Sequence, residues 1–407
     1  MVFGLATFMG ASAQDSWQSI PKGDLYGMAN DAHVYDGKLY VATDKGIFAC
    51  PLQEGQKAWE NAGLRGNDIV NFAKYGERLL AVCQTITVNP NGSKTRSYSL
   101  LASDDNGATS TDVTPEDIID DGYFGIHIRQ MDSKKPEHLY LTYCNSLGGK
   151  PCIMLETLDA GQSWTKTAAR DWYGAYTGSF AADPSDSRHI LVFGMHPYND
   201  CYCPYVLETK DGFQTLEYLA FEPSRNFMFG DIAFSPVNNA LMLAATSEGL
   251  AKSDDSGANW QITCSGRAGD TDPWGAYQYS PLGFHSVWFD PSQPTVAYAV
   301  FCGHTDRHYN VDIYRSCDAG DSWQIVATSP MQSSSLAAVI HNGAQLILVP
   351  FTDDIFCLDL NLLSASISSL STTATSQSDV FTLLGTKAKG KSTSGIYIKN
   401  GHKRVVK

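Results

Sequence analysis

The stretch Ser316-Cys317-Asp318-Ala319-Gly320-Asp321-Ser322-Trp323 follows the pattern Ser/Thr-x-Asp-x-Gly-x-polar-Trp. Residues 157–164 and 253–260 match it, residues 103–110 differ only at the last position, and residues 209–215 form a looser copy. The Asp positions lie about 44 to 63 residues apart, the length of a four-stranded β-unit with loop insertions. This recurrence predicts an array of small β-units that pack on their neighbours.

Each eight-residue segment, called an octet here, has the composition of a tight turn. An Asp side chain can accept hydrogen bonds from backbone N–H groups two residues on, and the leading hydroxyl can do the same more weakly. Gly supplies a positive φ angle, which other residues adopt at a cost. The closing Trp begins a new strand and buries a large apolar surface. The octets are therefore expected to be structural, and Asp105, Asp159, Asp255 and Asp318 are poor catalytic candidates.

With these motifs the chain resembles the Asp-box, or BNR-repeat, β-propellers, a broad family that includes sialidases, xyloglucan-degrading glycosidases, sortilin-like receptors and photosystem assembly factors. The resemblance covers nearly everything from Trp17 to Leu360. It concerns the repeat rather than one activity, and it implies that the octets lie away from the functional face.

Counting apolar runs between the octets gives seven units, and the seventh, which ends with the run 355–358, is one strand short. The sequence thus predicts an all-β fold: a seven-bladed β-propeller of four-stranded antiparallel blades. The segment near Trp17 would supply the missing strand, because ring closure removes an exposed sheet edge. Six or eight blades remain open alternatives.

The ends of the chain are expected to be separate from the propeller, which spans residues 14–362. Residues 1–13 end in Ala11-Ser12-Ala13 and have the apolar character of a signal peptide, although a positive n-region is missing. Residues 363–379 form a Ser/Thr-rich linker. Residues 380–407 contain Asn400-Gly401 between β-rich segments, which predicts a hairpin. This tail resembles the C-terminal sorting domains of type IX secretion, which implies a secreted or cell-surface protein of Gram-negative type; the alternatives are a buried first strand and a flexible basic tail.

The net charge of the chain limits its possible partners, and its cysteines indicate its compartment. The chain of 407 residues has a net charge of −14, and its last 28 residues carry seven Lys or Arg and no Asp or Glu. An acidic body of about −21 argues against nucleic acid, and no apolar run is long enough for a transmembrane helix. The ten cysteines suit an oxidising compartment. Hairpin pairing of Cys144 with Cys152, and of Cys302 with Cys317, is possible; no metal site or cofactor is predicted.

The long loops between blades carry aromatic and charged side chains that suit recognition of sugars. We predict binding roles there for five residues, and the alternative is that the aromatic rings only fill gaps between blades. They are Trp172, Tyr173, Arg225, Trp274 and Tyr277.

A second set is predicted at the mouth of the central channel. Aligning Asp132, Asp183 and Asp290 places His127 and His285 at the start of innermost strands. Three carboxylates fall within a residue of the same place: Asp31, Asp68 and Asp231. We predict Asp68 and Asp231 as catalytic candidates, because paired carboxylates can act as acid and base in glycoside hydrolysis. Binding roles are predicted for Asp31, His127, Arg129 and His285. The alternative is that these side chains satisfy neighbouring backbone groups.

The chain matches the sequence segments typical of sialidases and of xyloglucan-degrading enzymes only in part. Sialidases share an Arg-Ile-Pro segment, which is absent here, and an arginine trio, for which Arg129, Arg225 and Arg267 are available. Xyloglucan-degrading members share an Arg-Thr-Asp-x-Gly-Gly segment, which Thr43-Asp44-Lys45-Gly46 matches in part. We therefore expect an exported propeller that binds a glycan or a protein through its long-loop face. The alternatives are a glycoside hydrolase, sialidase-like or otherwise exo-acting, and a structural assembly factor.

Overall fold

The computed structural model is built almost entirely of antiparallel sheets. It describes residues 17–23, 25, 27–53, 58–116, 118, 124–130, 135–145, 153–167, 176–198, 201–221, 229–246, 248–265, 283–305, 308–331, 335–363, 380–382, 395–399 and 402–406. Seven four-stranded sheets lie within the first of two compact units, residues 1–359, and form a seven-bladed β-propeller. The predicted fold class is confirmed.

The strands of blades one to three follow in chain order from the innermost outward. Blade one is β2 (Ala29–Tyr35), β3 (Lys38–Thr43), β4 (Gly46–Pro51) and β5 (Glu60–Gly63). Blade two is β6 (Asp68–Tyr75), β7 (Arg78–Val88), β8 (Lys94–Ser103) and β9 (Thr111–Asp112). Blade three is β10 (Phe124–Gln130), β11 (Leu139–Asn145), β12 (Ile153–Thr157) and β13 (Thr165–Lys166).

The next three blades repeat the same order. Blade four is β14 (Tyr176–Asp183), β15 (Asp186–Tyr198), β16 (Cys201–Thr209) and β17 (Glu217–Phe221). Blade five is β18 (Phe229–Phe234), β19 (Met242–Thr246), β20 (Leu250–Ser253) and β21 (Gln261–Cys264). Blade six is β22 (Gly283–Asp290), β23 (Gln293–Thr305), β24 (His308–Ser316) and β25 (Gln324–Thr328).

Blade seven joins the two ends of the propeller. It consists of β26 (Leu336–His341), β27 (Gln345–Pro350), β28 (Ile355–Asp359) and β1 (Trp17–Ile20). β1 pairs antiparallel with β28, Trp17 opposite Leu358 and Ile20 opposite Ile355. The Trp59 indole N–H donates to the Pro21 carbonyl at 3.0 Å. The predicted closure by the segment near Trp17 is therefore present.

The core lies between blades rather than inside one sheet. Each of six hydrophobic clusters draws buried residues from two neighbouring blades, as when Ile20, Leu39 and Ile347 join blades seven and one. At the junction of blades six and seven, Trp288 stacks on His341, with ring centroids 4.8 Å apart and planes 3° from parallel. This arrangement lets a long chain bury much apolar surface without one oversized core.

The octets form the turns between the third and fourth strands. In the first, the Ser103 hydroxyl donates to Asp105 at 2.8 Å and accepts from the Gly107 N–H at 2.7 Å. Asp105 accepts from the Thr109 N–H, four residues on rather than the two predicted. Gly107 has a φ of +81°, and the preceding residue is also left-handed. The looser copy builds the same network around Asp211.

These turns share one face with the turns that close the innermost hairpins. Hydrogen bonds from octet backbone N–H groups to carbonyls of those hairpin turns recur in blades two to six: Asn106 to Glu77, Ala160 to Glu137, Gly212 to Arg188, Ser256 to Ala240 and Ala319 to Thr295. We call this side of the propeller the octet end and the opposite side, where innermost strands begin, the long-loop end.

The second compact unit, residues 360–407, holds a three-stranded sheet of β29 (Val380–Thr382), β30 (Gly395–Lys399) and β31 (His402–Val406). Lys399 lies opposite His402 at the end of the predicted hairpin. Residues 1–13 and most of the predicted linker lie outside the described residues. Within the described part of the chain, no helix has the length and apolar character to cross a membrane.

Candidate functional site

A β-bulge fixes the register of most innermost strands near the long-loop end. The pairing of the first strand with the second shifts by one residue at the same place in six blades: between residues 29/31, 69/71, 177/179, 229/231, 284/286 and 336/338. A bulge leaves one residue unpaired and re-aims the side chain that follows it. In blades one, two and five, the side chain after the bulge accepts a hydrogen bond from the next blade.

At the junction of blades one and two this residue is Asp31. Its Oδ2 accepts from the Phe72 N–H of the next blade at 3.2 Å, and it lies 3.1 Å from Nε2 of His33. Burial alone would raise the pKa of Asp31, but the His33 charge and the hydrogen bonds outweigh burial and lower it. In turn, Asp31 outweighs the burial of His33 and raises the pKa of that imidazole. The two side chains form an ion pair within β2, and Asp31 joins this strand to blade two through the Phe72 N–H.

At the junction of blades five and six the equivalent residue is Asp231. Its Oδ2 accepts from the Val287 N–H at 3.1 Å and from the Ser286 hydroxyl at 2.9 Å. Burial raises the pKa of Asp231 to about 6, against these hydrogen bonds. The bulge residue is Gly230, where an added Cβ would lie 2.8 Å from the Phe284 carbonyl oxygen. A glycine lets the two strands approach this closely.

The junction of blades two and three uses an amide. Asn71 accepts from the Ile128 N–H and donates to the Ile128 carbonyl, both at 2.9 Å. Phe72, Ile128 and Val287 each donate a backbone N–H to the preceding blade, so they occupy equivalent positions. His127, which directly precedes Ile128, is therefore equivalent to Asp31 in blade one. His285 lies two residues before Val287, at the bulge, and so one place earlier than His127. The predicted alignment of His127 with His285 is corrected accordingly. Burial, followed by the Arg129 charge, lowers the pKa of His127 to about 3, and burial lowers that of His285.

Asp68 is not equivalent to the other two carboxylates. It lies three residues before Asn71, opposite Gln84, and one step nearer the long-loop end than the bulge. Its Oδ2 accepts from the Gln84 amide at 3.0 Å, and its Oδ1 accepts from Asn30 at 3.3 Å. The prediction that Asp31, Asp68 and Asp231 fall within a residue of the same place is therefore wrong for Asp68, because the residue of blade two that follows the bulge, as Asp31 and Asp231 do in their blades, is Asn71.

A cavity of about 970 Å³ occupies the channel between the innermost strands. It extends from Asp31 to the hairpin turns at Asp36, Gly76 and Pro136, so its described part reaches the octet end of the channel. The charged and aromatic members of its lining come from blades one, two, three, four and seven: Asp31, His33, Tyr35, Asp36, Lys74, Tyr75, Arg129, Phe180 and His341.

The lining combines rings with groups that can hydrogen-bond. The Tyr75 side chain is 47% exposed at the rim. The Arg129 guanidinium lies over the Phe180 ring, 5.4 Å from its centroid. Burial lowers the pKa of His341 to about 4, so that this ring is neutral at neutral pH. Such a mixture of apolar faces and a few oriented polar groups is typical of ligand-binding cavities.

Several predicted residues cannot be placed in this site. Trp172, Tyr173, Arg225, Trp274 and Tyr277 lie outside the described residues, and their binding roles stay predictions. Of the predicted channel residues, the cavity brings together Asp31 and Arg129, but Asp68, Asp231, His127 and His285 are not part of its described lining.

Most of this lining was not predicted from the sequence, including His33, Tyr75 and His341. For His33 a signal existed, because a residue two places after Asp31 on a strand lies on the same face. Tyr75 and His341 end innermost strands at the octet end, the face that the resemblance marked as non-functional. Nothing in their local sequence distinguishes them from other strand ends.

The cysteines give one correction. Cys302 and Cys317 are free thiols, and Cys302 lies opposite Val311, six residues or about 20 Å of extended chain before Cys317. A disulfide needs Cα atoms within about 7 Å, so the predicted pairing is wrong. Side chains of Cys144 and Cys152 lie outside the described set. Among the described residues, no cluster of His, Cys, Asp and Glu has the geometry of a metal site.

Asp44, the partial match to the xyloglucan-degrading segment, has a local role. Its Oδ1 accepts from the Met28 N–H at 2.8 Å. This contact ties the turn between β3 and β4 to the segment that leads into β2, in agreement with a turn residue.

Comparison with known proteins reveals similarity of fold. No family model matches the chain, and no curated protein sequence is similar to it. The structure of a GH74 xyloglucanase from Xanthomonas campestris superposes with a TM-score of 0.54 at 15% identity, covering 84% of this chain and 53% of that protein. An ancestral GH74 enzyme superposes with a TM-score of 0.54 at 13% identity, covering 92% of this chain and 49% of that protein. The chain spans about half the length of these proteins, and identity this low shows the fold alone.

Proposed function

We propose that this protein is an exported or cell-surface β-propeller that binds a glycan through its central channel and its long-loop face. The channel cavity carries the proposal. Its volume of about 970 Å³ suits a short oligosaccharide. Sugars present apolar faces for rings such as Tyr75 and hydroxyl groups for polar side chains such as His33. The similar fold of a GH74 xyloglucanase supports a polysaccharide ligand.

Binding of an oligosaccharide panel by the full chain, measured calorimetrically, tests this proposal. Tyr75→Ala removes an exposed ring at the cavity rim and should weaken binding about three- to tenfold, since such rings contribute about 0.5–1.5 kcal/mol. Tyr218→Ala removes a ring that is 59% exposed on the outer strand β17 and should leave affinity unchanged. Equal losses in the two variants, or a protein ligand captured in place of any sugar, would refute a glycan site in the channel.

The long-loop aromatic residues enter the proposal as further contacts. Trp172, Tyr173, Trp274 and Tyr277 would stack on sugars that extend beyond the channel, and Arg225 would bind hydroxyl or acidic groups. Trp274→Ala should weaken longer oligosaccharides more than short ones, because only longer chains reach from the channel to the loops. A uniform effect at every chain length would exclude this role.

Glycoside hydrolysis is a second candidate function, favoured by the opposite pKa shifts of two carboxylates. Burial raises the pKa of Asp231 to about 6, as a general acid requires, while His33 and hydrogen bonds lower that of Asp31 against its burial. Asp68 remains a further candidate at the long-loop end. A hydrolysis screen with wild type and Asp231→Asn tests this role; any activity that survives the substitution unchanged rules out Asp231 as the acid.

Export is part of the proposal and rests on the two ends of the chain. Residues 1–13 would be the signal peptide, and residues 380–407 would address the protein to secretion machinery of the type IX kind. Deleting 380–407 should retain the protein inside the outer membrane, as cell fractionation would show. Unchanged release of the shortened chain would remove the tail from the proposal.

A further inference from the structure

The strands β7 and β8 continue well beyond the rest of blade two. β6 pairs with β7 only as far as Asp68 opposite Gln84, whereas the β7–β8 ladder runs on to Val88 opposite Lys94. Residues 85–88 and 94–97 therefore form a two-stranded ribbon, which we call the arm. Because it extends past the start of β6, the arm projects from the long-loop end, opposite to the octets.

One face of the arm is continuous with the hydrogen bonds of Asp68 at the start of β6. Side chains alternate along a strand, so Gln84 and Tyr98, which lie opposite each other, share a face with the pairs Ile86–Arg96 and Val88–Lys94. The Tyr98 hydroxyl donates to the Gln84 amide at 3.1 Å, and that amide donates to Asp68. A single strip thus leads from Asp68 to the tip of the arm.

The strip has an unusual charge for this protein. Between Gln84 and Ser103 there is no Asp or Glu, yet the same segment contains Lys94 and Arg96. Both are exposed, and neither forms an ion pair with any described residue. The body of the chain carries about −21 charges, so this strip is a local cationic surface on an acidic molecule. Lys94 and Arg96 are two residues apart on one strand, about 7 Å along it.

Apolar side chains accompany the two cations. Ile86 is 44% exposed and Val88 is 64% exposed, each directly opposite a cationic residue. On the other face, Asn89 donates to Ser93 at 2.9 Å and to Thr95 at 2.8 Å, so its polar groups bond one another. The strip therefore offers alternating apolar and cationic contacts, while the opposite face is engaged in its own hydrogen bonds.

We propose that the arm strip binds an acidic polysaccharide chain and leads it toward the long-loop end of the channel. The apolar faces of sugar rings would contact Tyr98, Ile86 and Val88, and their carboxylates would pair with Arg96 and Lys94. Arg binds carboxylates in a bidentate manner, and paired cations in an acidic protein favour a polyanion by charge complementarity. This inference rests on the proposed glycan function and specifies the ligand as acidic.

A peptide that adds to the open edges of the arm is the competing occupant. Such a strand would bind through backbone hydrogen bonds and would need neither positive charge. Dependence of binding on the two cationic side chains therefore separates the polysaccharide from a peptide.

The test compares two forms of one polymer, polygalacturonate and its fully methyl-esterified form, which share a backbone and differ in charge. The double variant Lys94→Gln/Arg96→Gln should bind polygalacturonate at least tenfold more weakly than wild type, and the salt dependence should decrease. Its affinity for the esterified polymer should change less than twofold. The control Lys135→Gln/Lys166→Gln removes the same charge at exposed positions in blade three and should match wild type.

The results separate the two proposals. If both variants bind alike, or if wild type prefers the esterified polymer, the arm inference is overturned while Tyr75-dependent sugar binding still supports the channel. Equal, Lys94/Arg96-dependent binding of a single-stranded oligonucleotide would also overturn it, because the strip would then attract any polyanion. If no carbohydrate binds at all, both proposals fail. Unchanged thermal unfolding of the double variant would exclude misfolding as the cause of a loss.

Discussion

The junctions of blades one and two and of blades five and six have the same architecture and opposite electrostatics. Each places an Asp after a bulge, and each Asp accepts a backbone N–H from the next blade: Phe72 for Asp31 and Val287 for Asp231. The pKa of Asp31 is lowered and that of Asp231 is raised to about 6. The repeat thus fixes the position of the junction carboxyl group but not its state of ionisation.

One neighbouring side chain accounts for the difference. Both carboxyls are pushed toward the neutral form by burial. Asp31 has His33 two residues along its own strand at 3.1 Å, and the cation favours the ionised carboxylate. Asp231 has the neutral Ser286 hydroxyl at 2.9 Å, which does not offset burial. Equivalent carboxylates in a propeller therefore need not share a protonation state.

The largest effect should come from removing the first junction carboxylate. Asp31→Ala leaves the Phe72 N–H without its acceptor and His33 without its anion, and we expect the free energy of unfolding to fall by about 2–4 kcal/mol near pH 6. Urea denaturation measures this, with Glu217→Gln on the exposed outer strand as control. A loss no larger than that of the control would mean that the junction does not depend on the carboxylate.

Asp231→Asn should have a pH-dependent effect of about 1–3 kcal/mol. Because the folded pKa of about 6 exceeds the usual 3.8, the wild type gains stability from protonated Asp231 at low pH and loses it as pH rises through about 6. The Asn variant should therefore gain stability relative to wild type between pH 4 and 7. Asp31→Asn should do the opposite, with a deficit that disappears only as pH falls through the lowered pKa of Asp31. If the free energy of unfolding changes with pH in the same way in both variants, the two carboxyl groups do not differ in protonation.

His33→Gln should make the first junction resemble the second. Without the cation, the pKa of Asp31 should rise, and unfolding free energy should fall by about 1 kcal/mol at pH 5–6. The raised pKa of His33 means that its contribution is present below its usual 6.5 and is lost as pH rises through the folded value. The difference from wild type should thus shrink as pH rises from 5 through the folded pKa of His33. A constant difference across this range would point to lost packing rather than lost charge.

The smallest effect is expected for Ser286→Ala. Losing one hydrogen bond to Asp231 should cost about 0.5–1 kcal/mol above pH 6 and should move the pKa of Asp231 further upward. The midpoint of the stability-versus-pH curve reports that shift. If the midpoint stays in place, the Val287 N–H alone determines the ionisation of Asp231.

The blades could be predicted from sequence because their signals are local. An octet such as 316–323 contains its own hydrogen-bond partners, so the turn around Asp318 forms wherever the pattern occurs. Even blade closure was predictable, since Trp17 precedes the first blade as Trp59 precedes the second.

The candidate site was less predictable, because it depends on register. A bulge shifts the side chains that follow it, and no residue type marks its place: Asn30, Gly230 and His285 all occupy it. Because β10 and β11 pair without this shift, an alignment by motif grouped His127 with His285, one position before its equivalent Ser286. The cavity at the octet end was missed because its lining converges from five blades that are distant in sequence.

Closure of blade seven by β1 has a consequence for how the chain folds. Trp17 meets Leu358 across almost the whole length of the propeller. A contact between such distant residues forms late and slowly, because the intervening chain must first be brought together. Blade seven cannot receive its outermost strand until residues 355–358 are available to pair with β1. Opening the finished ring at this point requires the separation of its first strand from its last.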